Sequence, residues 1–311
     1  MSTEPKYREN REWQKIMMLK EKLPAINDAE GQVVPPSLPR VTDAHVHIFP
    51  DGIFRAVWKW FDTYGYPIRY RMRSAELIDF LLSRGIWHIV ALQYAHKPGI
   101  AEELNQYMAD LCTQYPGKVS GMATVFPGEK GSRYILGQAF ASGLKGVKLH
   151  CHVQCFDMNS NEMDEIYDLC ASEKKPLIMH AGREPNSPVY SCDPYALCSA
   201  DKLEKVLRDF PELKICVPHL GADEYLPYKN LTEKYDNLWL DTAMVLTDYF
   251  PGNRPVPPNE MRTERILYGS DFPNIPFAWD RELRALEKLD LPENDLKRIL
   301  GKNAGEFFSI P

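Results

Sequence analysis

The sequence predicts an α/β fold, a (β/α)8 TIM barrel with a short N-terminal helical extension. From residue 41 onward, short apolar and β-branched runs alternate with helical patterns, which is typical of βαβ units and a parallel sheet. Eight such units fit into about 270 residues, which is the size of a TIM barrel. A doubly wound sheet would carry a glycine-rich phosphate turn after its first strand, and the segment Asp43–His47 (DAHVH) is not such a turn.

Eight runs have the length and composition of buried strands. In chain order they are Val41–His47, Ile86–Leu92, Val119–Val125, Gly143–His150, Pro176–His180, Leu213–His219, Leu238–Thr242 and Ile266–Asp271. Helical patterns separate most of them: Ala75–Arg84, Ile100–Tyr115, Ser132–Ser142, Asn161–Glu173, Ala200–Phe210 and Ala222–Tyr235.

Two longer segments interrupt this alternation. Ile48–Arg73 follows the first strand and is unusually aromatic, whereas Met244–Asn259 follows the seventh strand and is rich in proline. In a TIM barrel the loops that follow strands lie at the C-terminal face, where they build the active site. We therefore expect both segments to overhang the site.

Residues 1–40 are predicted to form an extension and linker that precedes a catalytic barrel domain spanning residues 41–311. Four apolar residues recur at roughly helical spacing among many charges: Trp13, Ile16, Met17 and Leu23. They predict a short amphipathic helix, and the prolines of Gly31–Arg40 predict a connector after it. The helix is expected to close the bottom of the barrel or to pack on a partner subunit of a homodimer, without a chemical role.

Composition and charge narrow the class of protein. With 44% hydrophobic and 26% charged residues, the chain has the composition of a globular enzyme. Its net charge of -6 argues against a nucleic-acid binder, which would need a basic face. We see neither a signal-peptide pattern nor an apolar stretch long enough for a membrane helix. The 7 cysteines have no framework spacing, which favours free thiols in a reducing compartment. A cytoplasmic enzyme of small molecules is therefore expected.

Five histidines and one aspartate fall at the C-terminal ends of predicted strands: His45, His47, His150, His180, His219 and Asp271. A single histidine at a strand end is more often a hydrogen-bonded structural residue than a ligand. Their concentration favours a site, because a barrel gathers its catalytic groups at these ends. His45 and His47 are two residues apart on one strand and therefore point to the same side. Two imidazoles that converge in this way suit a divalent metal ion.

Four motifs resemble those of the amidohydrolase superfamily, and the resemblance extends over residues 41–311. They are Asp43–His47 (DAHVH), Met179–Gly182 (MHAG), Val217–Gly221 (VPHLG) and Tyr268–Pro273 (YGSDFP). The segment Ile299–Ala304, together with Phe307, also resembles the last helix of this group. The motifs are most similar to the amidohydrolase-related branch, which includes aminocarboxymuconate-semialdehyde decarboxylase and several aromatic-acid decarboxylases.

The resemblance implies a ligand set for one divalent ion, most often zinc: His45, His47, His180 and Asp271. It also implies that His219 stays off the metal and acts as the catalytic acid and base, with Asp271 contributing to catalysis as well as to metal binding. The residue types agree with this, since imidazoles and a carboxylate can hold a dication that lowers the pKa of bound water to about 7. A histidine is suited to move the proton that follows.

The fourth strand leaves alternatives open. Lys148 and His150 lie on the same side of this strand. In two-metal relatives a carbamylated lysine of the fourth strand bridges the ions, and Lys148 could do so with His219 as a ligand of the second metal. Otherwise Lys148 or His150 meets an anionic substrate group or an internal carboxylate. A zinc site built from His150, Cys151, His152 and Cys155 is disfavoured, because neighbouring residues of a strand point in opposite directions.

Two arginines are further candidates for substrate binding. Arg183 leaves the fifth strand three residues after His180, and Arg55 lies in the aromatic segment. Each is typical of a solvated charge or an ion-pair partner. A cation beside aromatic side chains would nevertheless suit the carboxylate of an aromatic or unsaturated acid.

The ligand set fits two reactions. In a metal-dependent hydrolase, activated water attacks a carbonyl of a small anionic or aromatic substrate, with His219 moving the proton. In a non-oxidative decarboxylase the ion orients a carboxylated substrate and His219 protonates the carbon that loses carbon dioxide. The wider superfamily favours hydrolysis, which we take as the main expectation, and the branch favours decarboxylation. A TatD-type nuclease is disfavoured because it expects a carboxylate on the fourth strand, and nothing in the sequence supports a non-catalytic metal-binding barrel.

Overall fold

The computed structural model describes residues 26–183, 190–248 and 255–311, which form eight parallel strands separated by helices. The strands are β1 (Val41–His47), β2 (Ile86–Leu92), β3 (Val119–Gly121), β4 (Val147–His150), β5 (Leu177–His180), β6 (Ile215–Val217), β7 (Leu238–Asp241) and β8 (Ile266–Leu267). The α-helices are α1 (Asp51–Tyr64), α2 (Ser74–Ser83), α3 (Ala101–Gln114), α4 (Ser132–Ala141), α5 (Cys151–Gln154), α6 (Asn161–Ser172), α7 (Pro194–Leu197), α8 (Ala200–Asp209), α9 (Tyr225–Lys234), α10 (Arg281–Lys288), α11 (Glu293–Lys297) and α12 (Asn303–Phe308). Short 3₁₀ turns span His219–Gly221, Val245–Thr247, Pro258–Glu260 and Thr263–Arg265, and a π-helical turn spans Arg298–Lys302.

The strands follow one another around a ring. Strands β1 to β3 pair in order, and so do β4 to β8. At the seam between β3 and β4, Ala123 bridges Val147 and accepts a 2.8 Å hydrogen bond from the Lys148 amide. At the seam between β8 and β1, Val46 bridges Phe272, whose carbonyl accepts a 2.7 Å hydrogen bond from the His47 amide. The prediction of a (β/α)8 barrel is confirmed.

Alternating residues of the strands divide between two cores. One apolar cluster includes residues from strands on opposite sides of the ring, which can meet only inside it: Ala44, Val90, Leu92, Met122, Ile178, Cys216, Trp239 and Leu267. Their neighbours along the strands join a larger cluster between the sheet and the surrounding helices. Phe307 and Phe308 of α12 belong to the inner cluster, and the Phe307 ring lies 5.1 Å from that of Trp239. Helix α12 therefore closes the end of the barrel opposite the strand C-termini.

Several strands are shorter than predicted, and two of these differences concern the site. The predictions that the sixth strand reaches His219 and the eighth reaches Asp271 are wrong, since β6 ends at Val217 and β8 at Leu267. The reason is local backbone geometry, because φ is 59° at His219 and 63° at Asp271. That left-handed conformation is incompatible with an extended strand. Both residues therefore lie on turns just beyond their strands.

The segments before and after β1 have different structures. The aromatic segment after β1 contains helix α1, and the predicted helix around residues 13–23 lies outside the described residues. The described part of the extension packs along the barrel wall. Gly31 donates its amide to Asp280 and accepts a bond from the Trp279 indole, at 2.9 and 3.0 Å, and Val34 donates to the carbonyl of Arg84.

Within the described ranges, none of the helices is both long and apolar enough to cross a membrane.

Candidate metal centre

Three ligand atoms converge at the C-terminal end of β1. The Nε2 atoms of His45 and His47 are 3.2 Å apart, and the Asp271 Oδ1 atom lies 3.3 Å from the first and 2.9 Å from the second. Two atoms bound at about 2.1 Å to one ion lie roughly 3.0 to 3.4 Å apart in octahedral or tetrahedral geometry. All three residues are buried, and the described part of the chain contains one such group. The spacing fits a single shared ion.

A buried aspartate on β7 fixes the tautomer of His45. Asp241 Oδ2 lies 2.8 Å from His45 Nδ1, and because a carboxylate accepts, Nδ1 carries the proton and Nε2 offers its lone pair to the site. The other oxygen, Oδ1, accepts the amide of His219 at 3.0 Å and that of Ala243 at 3.1 Å. Asp241 therefore positions both a ligand and the turn that carries His219. Sequence reasoning missed this role, although the residue stands at the end of the predicted seventh strand.

A second buried aspartate joins β1 to the turn after β8. Asp43 accepts the amides of His45 and Ser270 at 3.2 and 3.1 Å and the Ser270 hydroxyl. Burial raises the pKa of this carboxyl to about 7, against the lowering effect of these hydrogen bonds. Gly269 permits the segment after β8 to approach β1 closely, since a Cβ at this position would lie 2.7 Å from the Cβ of His45. The two elements that supply metal ligands are thus tied together.

The protonation states of the three ligands suit a cation. Burial lowers the pKa of His45 well below its usual value, and the charge of Lys148 lowers it further. Burial also lowers the pKa of His47. For Asp271, burial raises the pKa, but the hydrogen bond with His47 and the charges of the neighbouring histidines outweigh it and bring the pKa to about 2. Neutral imidazoles and an ionised carboxylate are the forms that bind a metal.

His219 faces this group without belonging to it. Its Nδ1 atom lies 2.8 Å from the carbonyl oxygen of Ala243, and because a carbonyl only accepts, Nδ1 carries the proton. Its ring centroid is 5.5 Å from that of His45 and 4.7 Å from that of His180. The left-handed backbone at a non-glycine residue costs on the order of 1–3 kcal/mol and persists only where the surroundings enforce it. The Asp241 and Ala243 contacts supply that enforcement here.

The remaining predicted site residues of β4 and β5 lie side by side. His150 and His180 are partners in the strand register, and their rings stack with centroids 4.0 Å apart. His180 is outside the group of converging ligand atoms, although its ring lies next to that of His219. Tyr94 adds an edge contact, 5.1 Å from His150 and 5.8 Å from His47 between ring centroids. These rings lie in a row beside the metal group.

Lys148 is fully buried inside the ring. It pairs in register with Ile178, one step below the layer of His150 and His180. Its Nζ atom has no hydrogen-bond partner among the residues that the structure describes. Burial lowers the pKa of this amine, while the charges of Asp241 and Asp271 oppose the effect. Lys148 is thus a fully buried amine beside the histidines.

The two arginines that sequence analysis named as candidates for substrate binding contact residues outside the metal group. Arg183 donates from Nε to the carbonyl of Cys198 at 3.0 Å, and its Nη1 atom is 3.6 Å from a carboxylate oxygen of Glu224. Arg55 is exposed on α1 and lines a surface depression with Arg71 and other charged residues. Arg183 is therefore engaged in an ion pair, which weakens the expectation that it binds a substrate carboxylate.

The described residues do not form the disfavoured zinc site of His150, Cys151, His152 and Cys155. The reason given for this, that neighbouring residues of a strand point in opposite directions, was wrong. Cys151 and His152 lie on helix α5 rather than on a strand, and Cys155 follows that helix. The segment therefore turns away from β4 immediately after His150.

We expect Asp241→Asn to weaken metal affinity about 10–100-fold, the usual effect of losing a carboxylate that orients a metal-bound histidine. The variant keeps an oxygen for the amides of His219 and Ala243 but places a neutral amide against His45 Nδ1. Titration of the metal-free protein against a chromophoric chelator measures the change. Asp236→Asn, on an exposed carboxylate that pairs with Arg262, is the matched control. An unchanged affinity for Asp241→Asn would contradict this role.

Comparison with known proteins adds independent findings. The sequence model of a family described as amidohydrolase matches residues 42–310. No curated protein sequence matches the chain.

Among solved structures, an uncharacterized TIM-barrel protein from Bordetella bronchiseptica has a TM-score of 0.68 at 16% identity, covering 87% of this chain and 99% of its own. The 5-carboxyvanillate decarboxylase of Sphingomonas paucimobilis has a TM-score of 0.64 at 14% identity, with 88% and 99% covered. The 5-carboxyvanillate decarboxylase of Novosphingobium aromaticivorans, complexed with manganese and 4-hydroxy-3-methoxy-5-nitrobenzoic acid, has a TM-score of 0.61 at 17% identity, with 91% and 100% covered. At these identities the likeness establishes the fold.

Proposed function

The chain belongs to the amidohydrolase family, and from that premise we propose that it is a metal-dependent decarboxylase of an aromatic or unsaturated carboxylic acid. The observation that carries the proposal is the fully buried amine of Lys148, whose Nζ atom has no hydrogen-bond partner among the described residues. A buried charge is costly unless it is paired, so an anionic substrate would complete the site. Relatives of the same fold that act on carboxylated aromatic acids support this choice.

We propose that His45, His47 and Asp271 hold one divalent ion, with His180 as a further ligand. A divalent ion there would supply a Lewis acid that orients substrate oxygens and offsets negative charge. Imidazoles with one carboxylate suit zinc, whereas the decarboxylase from Novosphingobium aromaticivorans is complexed with manganese. Elemental analysis of the protein as purified distinguishes the two metals.

The reaction requires one proton at carbon. The bond between the substrate carbon and its carboxylate breaks, carbon dioxide leaves, and the electron pair stays on that carbon. His219, in its imidazolium form, donates the Nε2 proton to the carbon while its Nδ1 proton stays bonded to the Ala243 carbonyl. Because His219 is partly exposed, it regains a proton from solvent. The His180 ring lies beside His219, His150 stacks on His180, and Tyr94 packs edge-on against His150. These rings could pack against a planar substrate.

Hydrolysis, the main expectation from the sequence, uses the same ligands and the same histidine. The decarboxylases among the structural relatives favour the other reaction, so hydrolysis becomes an outcome of the test. The acidic net charge of -6 supports a small-molecule substrate over a nucleic acid. A cytoplasmic location and a homodimer stay predictions.

We expect the metal-loaded protein to release carbon dioxide from at least one member of a panel of hydroxylated benzoates and unsaturated dicarboxylates. Each is matched by its methyl ester, which lacks the anion that Lys148 would meet. Product spectra and a coupled bicarbonate assay follow the reaction. The activity should disappear with a chelator and return with the metal. Turnover of lactones or amides, without any decarboxylation, would establish hydrolysis instead.

A further inference from the structure

Two cysteine side chains meet between the segments that follow β4 and β5. Cys155 comes directly after α5, and Cys192 lies two residues before α7. Their sulfur atoms share one acceptor, the carbonyl oxygen of His152, at 3.3 Å from Cys155 and 3.4 Å from Cys192. Cys155 Sγ also lies 3.0 Å from the hydroxyl oxygen of Ser191, the residue before Cys192. The two reduced side chains thus lie on either side of one carbonyl oxygen.

Four of the other cysteines are buried, and Cys112, which is partly exposed like this pair, lies on α3. Both thiols are partly exposed, so a small oxidant in solution can reach them. A second pair, Cys151 and Cys198, is in hydrogen-bonding contact but is fully buried, which shields it. Cys155 has a φ of 52°, a left-handed conformation at a non-glycine residue, and its sulfur contacts Ser191 in the segment after β5.

The residue whose carbonyl the pair shares, His152, lies close to the histidines of β4 and β5. The ring of His152 lies 5.2 Å from that of His180 and 5.8 Å from that of Tyr190, between centroids. Tyr190 in turn stacks on Trp60 of α1 at 6.1 Å. A covalent link at Cys192 would therefore fix the segment that carries Tyr190 against α5, beside these histidines.

We propose that Cys155 and Cys192 form a reversible disulfide that ties the segments after β4 and β5 together at the mouth of the site. This inference goes beyond the proposed decarboxylation and does not depend on it. The geometry that supports it is the contact of both sulfurs with the carbonyl of His152.

A peroxide can oxidise the two thiols to the disulfide in two steps. The thiolate of Cys155 attacks one peroxide oxygen, which breaks the O–O bond, releases hydroxide and leaves a sulfenic acid. Cys192 then attacks that sulfur, its proton leaves with the sulfenic oxygen as water, and the S–S bond forms. Burial, with the neighbouring Cys155 adding to it, raises the pKa of the Cys192 thiol to about 12, so Cys192 is the less reactive of the two toward peroxide in the first step. A dithiol reductant reverses the bond by thiol–disulfide exchange.

Treatment of the metal-loaded protein with a slight excess of hydrogen peroxide tests the proposal. We expect a loss of two hydrogens in the intact mass, one crosslinked peptide that joins Cys155 to Cys192, and a rise in Tm. Dithiothreitol should restore the original mass and Tm. On any substrate that the enzyme turns over, kcat/KM should fall on oxidation and recover on reduction, since the segments at the mouth are then held together.

The single variants Cys155→Ser and Cys192→Ser should each abolish the crosslink and the rise in Tm. Serine retains a hydroxyl for the His152 carbonyl, so both variants are expected to fold. Cys112→Ser, which removes a partly buried cysteine on α3, is the matched control and should oxidise like the unaltered protein. The proposal is overturned by sulfinic acid at Cys155 without a crosslink. It is equally overturned by a crosslink that survives Cys192→Ser, or by a tightly bound zinc ion on the two thiols.

Discussion

Replacing His219 by asparagine should lower turnover by about 10²–10⁴ and leave the metal content unchanged, because a positioned acid–base group contributes a factor of this size. Asparagine tolerates the left-handed backbone at this position, where φ is 59°. Its side-chain amide can also replace the bond that Nδ1 makes to the Ala243 carbonyl. What it lacks is a proton that can be transferred near neutral pH. The change therefore separates proton transfer from folding and from metal binding.

The measurements are steady-state kinetics, elemental analysis and thermal unfolding on one preparation. His96→Asn provides the control, since His96 is an exposed histidine after β2 and should have no effect. If His219→Asn lost a metal equivalent, His219 would be a ligand, and the two-metal arrangement with a carbamylated Lys148 would replace the single-ion assignment. Unchanged turnover would remove the acid–base role.

Replacing Asp271 by asparagine should remove both the ion and the activity. The carboxylate is the single anion among the three converging groups, and its oxygen lies within 3.3 Å of both histidine nitrogens. A neutral amide of the same shape is a far weaker ligand for a dication. Asparagine again tolerates the local φ of 63°, so the loss should not come from the backbone. His45→Ala should have the same effect on metal content, with an added loss of stability because Asp241 would lose its partner.

Asp248→Asn is the control for Asp271→Asn. Asp248 is exposed and shares the left-handed conformation, with a φ of 55°, so the same chemical change is made away from the metal group. Elemental analysis should give about one ion per chain for the control and almost none for the variant. Full metal occupancy and activity in Asp271→Asn would show that this carboxylate does not hold the ion.

The metal group itself could be predicted from sequence because its signals are local. His45 and His47 are separated by one residue, and strand geometry alone places them on one side. The barrel then explains how Asp271, far along the chain from both histidines, reaches them, since β8 closes on β1. The alternation of strands and helices predicted this closure.

The supporting residues could not be predicted in the same way. Asp241 acts through a hydrogen bond to one nitrogen of His45, which depends on the relative tilt of two strands rather than on any spacing. An ion pair was the commoner expectation for Arg183, but its partner Glu224 could not be named from the sequence because it comes from a distant part of the chain. The left-handed turns at His219 and Asp271 interrupt runs that otherwise have strand composition, so an alternating pattern extends the strands too far.

The packing of α12 into the barrel has a kinetic consequence. Phe307 and Phe308 fill the end of the barrel opposite the metal group. Substrate and product therefore enter and leave the site through the face formed by the loops after the strands. Under the proposed reaction, the acid arrives and both carbon dioxide and the decarboxylated product depart through this same face. A product that lingers there excludes the next substrate molecule. Product inhibition should therefore be competitive with substrate.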